Sequence, residues 1–365
     1  MTLHFYFARR FFTTFLGILA IILGIVFMVE MVESIRRFEE ADLDIGEIAI
    51  LTALNAPEGL YSILPLIVII ATIVLFLSLA RSSEIVITRA AGRSAFRSLT
   101  APVFVALCLG ILALSALNPI VAATSRQYDN LRNQLLQGVE ADLSLSGEGL
   151  WLRQGSPEGQ TVIRARRANV DGTTLFRVTF FGLTAEGDAD YRIEARRAEL
   201  VEGFWRLSDA QRWNIRDDLN PQAGLETVET MDIPTDLTRN RIRDSFGTPS
   251  AIPIWELPQF IERLELAGFS ARNHRMWFQS QLALPLTYVA MVLLGASFTM
   301  RHTRMGRTGV MVLISIGMGF GLYFIGNFAR ILAENGQLPV SIAAWGPPSA
   351  AILLCMGLLL HLEDG

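Results

Sequence analysis

The chain has 365 residues, of which 51% are hydrophobic and only 18% are charged, and its formal net charge is −4. A soluble domain carries about 25% charged residues, so this composition favours a membrane protein, and the weak net charge excludes a basic nucleic-acid-binding protein. Every basic residue is an arginine, and the absence of lysine excludes a Walker A nucleotide site and a Schiff-base site.

Six stretches are long enough to cross a membrane and contain no charged residue. They are residues 11–29, 59–80, 98–125, 276–300, 308–329 and 338–360. Because a helix needs about 20 apolar residues to cross the hydrocarbon core, they predict three spanning helices, an insert and three more spanning helices. The first stretch could also be a signal peptide. Its length and the lack of a small-residue cleavage site favour a retained helix.

The arginines predict how these helices are oriented. Arginines precede the first stretch and fill the loops at residues 81–97 and 301–307, whereas the loop after the first stretch is acidic. Since cytoplasmic loops carry an excess of arginine, both termini are predicted inside and the insert outside, in the periplasm of an inner-membrane protein. The predicted domains are 1–125 with three helices, 126–275 as the insert, and 276–365 with three helices.

The insert is predicted to be a β domain with helical flanks. Alternating polar and apolar segments at residues 161–170, 174–181, 191–201 and 204–208 are separated by glycine-containing turns. This pattern is typical of short antiparallel strands that bury one face, as in a sandwich or jellyroll. We find no catalytic motif and no metal-ligand spacing in the insert, so neither an enzyme nor a metal or other cofactor is expected.

The loop at residues 81–97 predicts a short helix over residues 82–92. Ser82 or Ser83 could begin it, Glu84 suits its positive first turn, Ile85 gives it apolar surface, and Gly92 can end it. Such a helix at the cytoplasmic surface could receive force from a separate ATPase. An ordinary arginine-rich loop is the alternative.

Three spanning segments contain residues that affect helix packing. Pro65 and Pro285 predict kinks, and Gly317 with Gly321 forms a small-xxx-small pair that permits close helix approach. The aromatic residues near this pair are Tyr323, Phe324 and Phe328. Plain packing is the alternative to a gate or cavity role. No charged residue lies deep in a span, which argues against an ion-driven carrier.

Taken together, these residues resemble the lipopolysaccharide export permeases of the LptF/LptG family over essentially the whole chain. The resemblance rests on Leu64-Pro65, Ser83-Glu84-Ile85…Arg89-Ala90-Ala91-Gly92, Gly149-Leu150-Trp151-Leu152 and Trp277…Pro285-Leu286. The pattern Ile252-Pro253-Ile254…Leu257…Phe260-Ile261…Leu264…Gly268 is more similar to the LptG member of the family.

The resemblance implies a set of partners. A paralogous LptF-like permease would form a heterodimer with the chain, and two copies of a cytoplasmic ATPase would drive it. A single-span LptC-like protein and a periplasmic bridge would complete the path for lipopolysaccharide and would pair strands edge to edge with the jellyroll. The first and fifth spans would form lateral gates.

The resemblance also implies roles for individual residues. The ATPase-coupling helix would include Ser83, Glu84, Ile85, Arg89, Ala91 and Gly92, with Glu84 as a polar contact. The gate and cavity would involve Pro65, Gly317, Gly321, Tyr323, Phe324 and Phe328. The lipopolysaccharide headgroup would meet Arg36, Arg37 and His274.

Two departures from the family pattern concern the headgroup contacts. Gln281 stands where many members carry lysine, and Glu30 stands where a basic residue is common. Two other readings of the whole chain remain open. One is a scaffold or sensor that displays a β domain without transport, and the other is a permease of another amphiphile-moving ABC system.

Overall fold

A computed structural model describes residues 2–38, 44–90, 94–135, 142–146, 149–156, 159–169, 172–184, 188–215, 225–235, 237–238, 248–266, 269–300 and 308–364. The chain divides into two compact units. The helical unit comprises Met1–Leu131, Ser250–Ile254 and Arg275–Gly365. The β unit comprises Arg132–Pro249 and Trp255–His274.

The helices confirm the predicted membrane architecture. They are α1 (Thr2–Arg37), α2 (Ile45–Arg81), α3 (Glu84–Ala90), α4 (Ala95–Leu112), α5 (Asn118–Leu135), α6 (Leu257–Leu266), α7 (Arg272–Thr299), α8 (Thr308–Glu334) and α9 (Val340–Asp364). A π-helical segment, Ala113–Leu117, joins α4 to α5. Among the described residues, six helical stretches are long and apolar enough to cross a membrane. We number them spans 1 to 6: α1, α2, α4 with α5, α7, α8 and α9.

Spans 2 and 4 form the centre of the helical unit. In each, 61% of the most apolar stretch is buried within the chain, against 6% in span 1 and 11% in span 5. Lipid tails are as apolar as the side chains, so close van der Waals packing has to stabilise helix contacts. Spans 1 and 5 therefore present most of their apolar surface outside this chain.

Glycines allow the central helices to approach closely. A Cβ added at Gly110 in span 3 would lie 2.5 Å from Pro285 Cα in span 4. One added at Gly295 in span 4 would meet Thr72 in span 2 at 2.9 Å, and one at Gly319 in span 5 would meet Ile69 at 2.5 Å. At Gly110 the neighbour is backbone and cannot yield, whereas at Gly295 and Gly319 the neighbours are side chains of span 2 that pack closely over the glycine.

Local capping explains where span 2 begins. The Asp44 carboxylate accepts a hydrogen bond from the Gly46 N–H at 3.2 Å, and the Glu47 carboxylate accepts one from the Asp44 N–H at 3.2 Å. This reciprocal capping box satisfies backbone donors that a helix N-terminus otherwise leaves unpaired. The helix then continues through Pro57 and Pro65 to Arg81.

The β unit confirms the predicted antiparallel β domain. Its strands are β1 (Asp142–Ser146), β2 (Gly149–Ser156), β3 (Gly159–Ala168), β4 (Thr174–Thr184), β5 (Ala189–Val201), β6 (Phe204–Asn214) and β7 (Leu225–Pro234). Across the part of the chain described here they form one seven-stranded sheet in the order β1 to β7. This meander is simpler than the Greek key of a jellyroll, in which non-consecutive strands are neighbours. The predicted strand at 161–170 ends at Ala168, and Val170 lies outside the described residues.

One side of the sheet carries the core of the β unit, with Ile163, Phe180, Ile193 and Trp205 almost completely buried. Along each strand buried and exposed residues alternate, and this alternation is interrupted at the same height of the sheet in neighbouring strands. Two consecutive residues are exposed at 166–167, 176–177, 196–197 and 229–230. The ladders skip the pairs that would join Arg166, Arg177, Arg196, Asp209 and Glu229 across five strands. Arg177 and Asp209 both have φ near +52°, a conformation that costs a residue with a Cβ about 1 kcal/mol or more.

We expect Gly110→Ala to destabilise the helical unit by about 1–3 kcal/mol, because the new methyl group would overlap the Pro285 backbone. The measurement is thermal unfolding of the detergent-solubilised protein. Gly24→Ala is the matched control, since an added Cβ there meets nothing within 4 Å and alanine is the better helix former. Equal melting temperatures for the two variants would contradict the close approach of spans 3 and 4.

Candidate functional site

The segment between span 2 and span 3 contains the predicted coupling helix. The helix is α3, Glu84–Ala90, somewhat shorter than the predicted 82–92. Ser83 precedes it with φ +58°, a left-handed conformation that turns the chain sharply out of α2. Ala91 and Gly92 lie outside the described residues, as do the side chains of Ile85 and Arg89.

Arg10 of span 1 connects this helix to two spans. Its Nη1 donates to Glu84 Oε1 at 2.7 Å and to the Tyr6 hydroxyl at 2.5 Å. Its Nη2 donates to Ser78 Oγ, near the end of span 2, at 2.8 Å. The Ser82 hydroxyl also donates to Glu84 Oε1, at 2.7 Å. We call Tyr6, Arg10, Ser78, Ser82 and Glu84 the clasp. Glu84 therefore pairs within its own chain and is not simply a surface charge.

The clasp keeps Glu84 ionised. Partial burial raises the pKa of its carboxyl group, but hydrogen bonds from Ser82, Arg10 and Tyr6 outweigh that effect, so the pKa lies below its ordinary value. A group with a lowered folded-state pKa stabilises the fold at pH values above its unfolded pKa, and the contribution is lost as pH falls through the folded-state pKa. The clasp is thus fully formed at neutral pH.

Two of the described side chains show how α3 is anchored and what it presents to its surroundings. Thr88 is buried, and its hydroxyl donates to the Glu84 carbonyl oxygen at 2.6 Å. Ile87 is 66% exposed. An exposed isoleucine on a short helix outside the apolar spans is a candidate contact for another protein.

A cavity of about 190 Å³ lies among spans 2, 4, 5 and 6 in the helical unit. Tyr61 donates a hydrogen bond to Gln281 Oε1 at 2.5 Å across its wall, and both side chains are buried. At its polar end Arg330 lies over the Trp277 ring, 5.3 Å from the centroid, and donates to Glu334 at 2.8 Å. The cavity therefore combines an apolar lining with a cation, as an amphiphile site requires.

The six residues predicted for the gate and cavity fall into two groups. Pro65 and Tyr323 line the cavity. An added Cβ at Gly317 or Gly321 would meet nothing within 4 Å, and Phe324 and Phe328 are each 64% exposed. The glycine pair thus lies on an uncovered face of span 5 and does not contact a helix of this chain.

The residues predicted for the headgroup have different surroundings. Arg36 is exposed at the end of α1. Arg37 donates to the Tyr128 hydroxyl at 3.1 Å and pairs with Glu33 at 3.6 Å. His274 belongs to the β unit, is buried, and packs its ring 5.0 Å from that of Phe260. Within the described ranges, no group of three or more His, Cys, Asp or Glu residues could hold a metal ion.

Sequence reasoning missed the roles of Arg10, Tyr61 and Arg330. Arg10 was interpreted only as an orientation signal, although Tyr6, Arg10 and Thr14 recur every four residues and so share one helix face. Gln281 was noted for its difference from the family pattern, and the signal for its partner Tyr61 is weak. A single tyrosine in an apolar helix does not reveal a hydrogen bond to a residue 220 positions away.

Comparisons with known proteins agree with this architecture. The profile of the family described as "Lipopolysaccharide export system permease LptF/LptG" matches residues 5–361. The lipopolysaccharide export system permease protein LptG of Escherichia coli (strain K12) is 21% identical over 370 residues, covering 98% of this chain and 97% of that protein. The LptG protein of Haemophilus influenzae is 23% identical over 347 residues, covering 94% of each chain.

We expect Tyr61→Phe to destabilise the helical unit by about 1–3 kcal/mol, because it leaves the buried Gln281 carbonyl without its donor. Replacing both partners, as Tyr61→Phe with Gln281→Met, should recover most of that loss since neither polar group remains. Thermal unfolding in detergent measures both variants. A double variant less stable than Tyr61→Phe alone would contradict the hydrogen bond.

Proposed function

We propose that this chain, which belongs to the LptF/LptG family of lipopolysaccharide export system permeases, is a permease subunit that moves lipopolysaccharide out of the inner membrane. The observation that carries the proposal is the extent of the match. The matched residues 5–361 include the six spans and the inserted β unit, so the family resemblance covers both parts of the chain. The LptG name of the relatives favours the LptG-like role over the LptF-like role.

Energy for export would come from a separate cytoplasmic ATPase that binds α3. The support for this step is the form of α3, a seven-residue helix with Ile87 uncovered and Glu84 fixed in the clasp. An apolar side chain presented beside an ordered polar cluster suits a groove on a partner protein. Ser83, Ile85, Arg89, Ala91 and Gly92 complete the proposed contact region. With α3 at the cytoplasmic surface, both termini would be cytoplasmic and the β unit would be periplasmic.

A paralogous LptF-like permease would cover spans 1 and 5. These spans have the least buried apolar stretches, and Gly317 and Gly321 present an open small-xxx-small surface flanked by Phe324 and Phe328. Such a surface lets a second helix approach closely. Lipid could also cover it, so the partner must be tested directly.

The lipopolysaccharide would cross this interface with its acyl chains against apolar surface. We place its phosphates near Arg36 and Arg37, since guanidinium groups bind phosphate oxygens in a bidentate manner. Of the three predicted headgroup residues, His274 is the least accessible to a phosphate, because its side chain is buried. Strands β1 and β7 end the sheet of the described residues and offer edges for strand pairing with an LptC-like partner and a periplasmic bridge.

ATP-dependent release tests the proposed function. The tagged chain is co-expressed and purified with a candidate paralogous permease and a candidate cytoplasmic ATPase from the same organism. The complex is reconstituted into vesicles containing lipopolysaccharide and supplied with a soluble jellyroll acceptor. We expect lipopolysaccharide to transfer to the acceptor with ATP and not with a non-hydrolysable analogue. A complex that binds no ATPase and transfers nothing would favour the scaffold or sensor. Transfer of a lipoprotein or another amphiphile in place of lipopolysaccharide would favour a different ABC permease.

We expect Ile87→Glu to abolish co-purification of the ATPase, because it places a charge in an apolar contact. Leu266→Glu is the matched control, since Leu266 is also exposed but lies in the β unit. Pull-down with the tagged chain measures the ATPase-to-permease ratio. Equal ratios for Ile87→Glu and the wild type would show that α3 is not the docking helix.

We expect Gly317→Leu with Gly321→Leu to reduce recovery of the paralogous permease about tenfold or more, because two leucines separate the helix faces. A Cβ added at either position meets nothing within 4 Å in this chain, so we expect the subunit itself to fold. Gly357→Leu in span 6 is the control, as its position is equally open. Unchanged recovery of the partner would remove span 5 from the interface.

A further inference from the structure

The helix α3 is attached to the helical unit in two different ways. Along the chain, Ser82 and Ser83 join it to span 2. Through side chains, Glu84 joins it to Arg10 of span 1. Span 2 is the most enclosed helix of the unit together with span 4, whereas span 1 is the least enclosed. The two attachments therefore lead to helices that bury very different shares of their apolar surface within the chain.

We propose that Arg10 is a positioning residue that passes displacements of α3 to span 1. The inference rests on the proposed function, in which an ATPase moves α3. The clasp then makes span 1 follow that movement. The uncovered face of span 1 would shift against the paralogous permease proposed to lie beside it. Without the clasp, α3 would act on span 1 only indirectly, through the packing of span 2 against span 1.

The geometry of Arg10 suits this task. Its two Nη atoms donate to two different segments, Glu84 on α3 and Ser78 on span 2, which fixes the orientation of the guanidinium plane. The Arg10 and Glu84 side chains are only 28% and 31% exposed. A partly buried, charge-assisted contact of this kind is stronger than the exposed pairs that contribute almost nothing.

Span 1 is built to carry a displacement along its length. It is a single helix of 36 residues without an internal proline, which corresponds to about 54 Å at a rise of ~1.5 Å per residue. Beside the clasp, Phe7, Phe11 and Phe15 recur every four residues and are buried. These rings hold the Arg10 end of the helix in the core, while Ile21, Ile25 and Met28 further along are uncovered.

The test compares Arg10→Gln with Arg9→Gln in the reconstituted complex. Both changes remove one positive charge from the same turn, but Arg9 is exposed and lies outside the clasp. We expect Arg10→Gln to keep the ATPase bound and hydrolysing ATP, while lipopolysaccharide transferred per ATP falls about fivefold or more. Arg9→Gln should match the wild type. Arg10→Lys, which keeps the charge but not the two-pronged donor, should recover part of the transfer.

A double variant separates transmission from a general defect. If Arg10 and Glu84 act through one contact, Arg10→Gln with Glu84→Gln should transfer no less per ATP than the worse single variant. Multiplied losses, or a wild-type ratio for Arg10→Gln, would overturn the inference. Loss of ATPase binding by Arg10→Gln would also overturn it, since Arg10 would then build the docking surface. A wild-type complex that transfers no lipopolysaccharide would instead refute the proposed function.

Discussion

Close contact between helix backbones is the constraint on which the helical unit depends. In lipid there is no hydrophobic gain from bringing two apolar helices together, so van der Waals contact has to hold them. Gly110 provides that contact with the Pro285 backbone, and Gly295 and Gly319 let side chains of span 2 pack directly over the backbones of spans 4 and 5. The buried Tyr61–Gln281 hydrogen bond adds a polar link between spans 2 and 4.

This central packing leaves the outer helices for other tasks. Spans 1 and 5 contribute to the core only along one side, as with Phe7, Phe11 and Phe15 of span 1, and most of their apolar surface remains open. The clasp fastens span 1 at one end to the short helix outside the spans. One chain thus combines a fixed centre with two peripheral helices that can engage partners.

Much of the fold could be predicted from the sequence because its signals are local. Charge-free runs of about 20 residues reveal the spans, and alternation with glycine turns reveals the strands. The clasp could not be predicted, since Arg10 and Glu84 lie 74 residues apart. The glycines show a second limit. Gly317 and Gly321 have the spacing for close approach, yet Gly319 between them makes the contact inside this chain, because spacing does not reveal which face meets which neighbour.

The interrupted alternation in the sheet has a consequence for how this domain tolerates insertions and deletions. In each of the five neighbouring strands β3 to β7 the alternation of buried and exposed residues changes phase once, at the level of Arg166, Arg177, Arg196, Asp209 and Glu229. Because neighbouring strands change phase at the same level, their buried residues stay paired with buried residues on both sides of that level. Deleting a single residue from one strand would put it half a period out of step with both neighbours. A shift of this feature along the sheet therefore requires matching changes in all five strands.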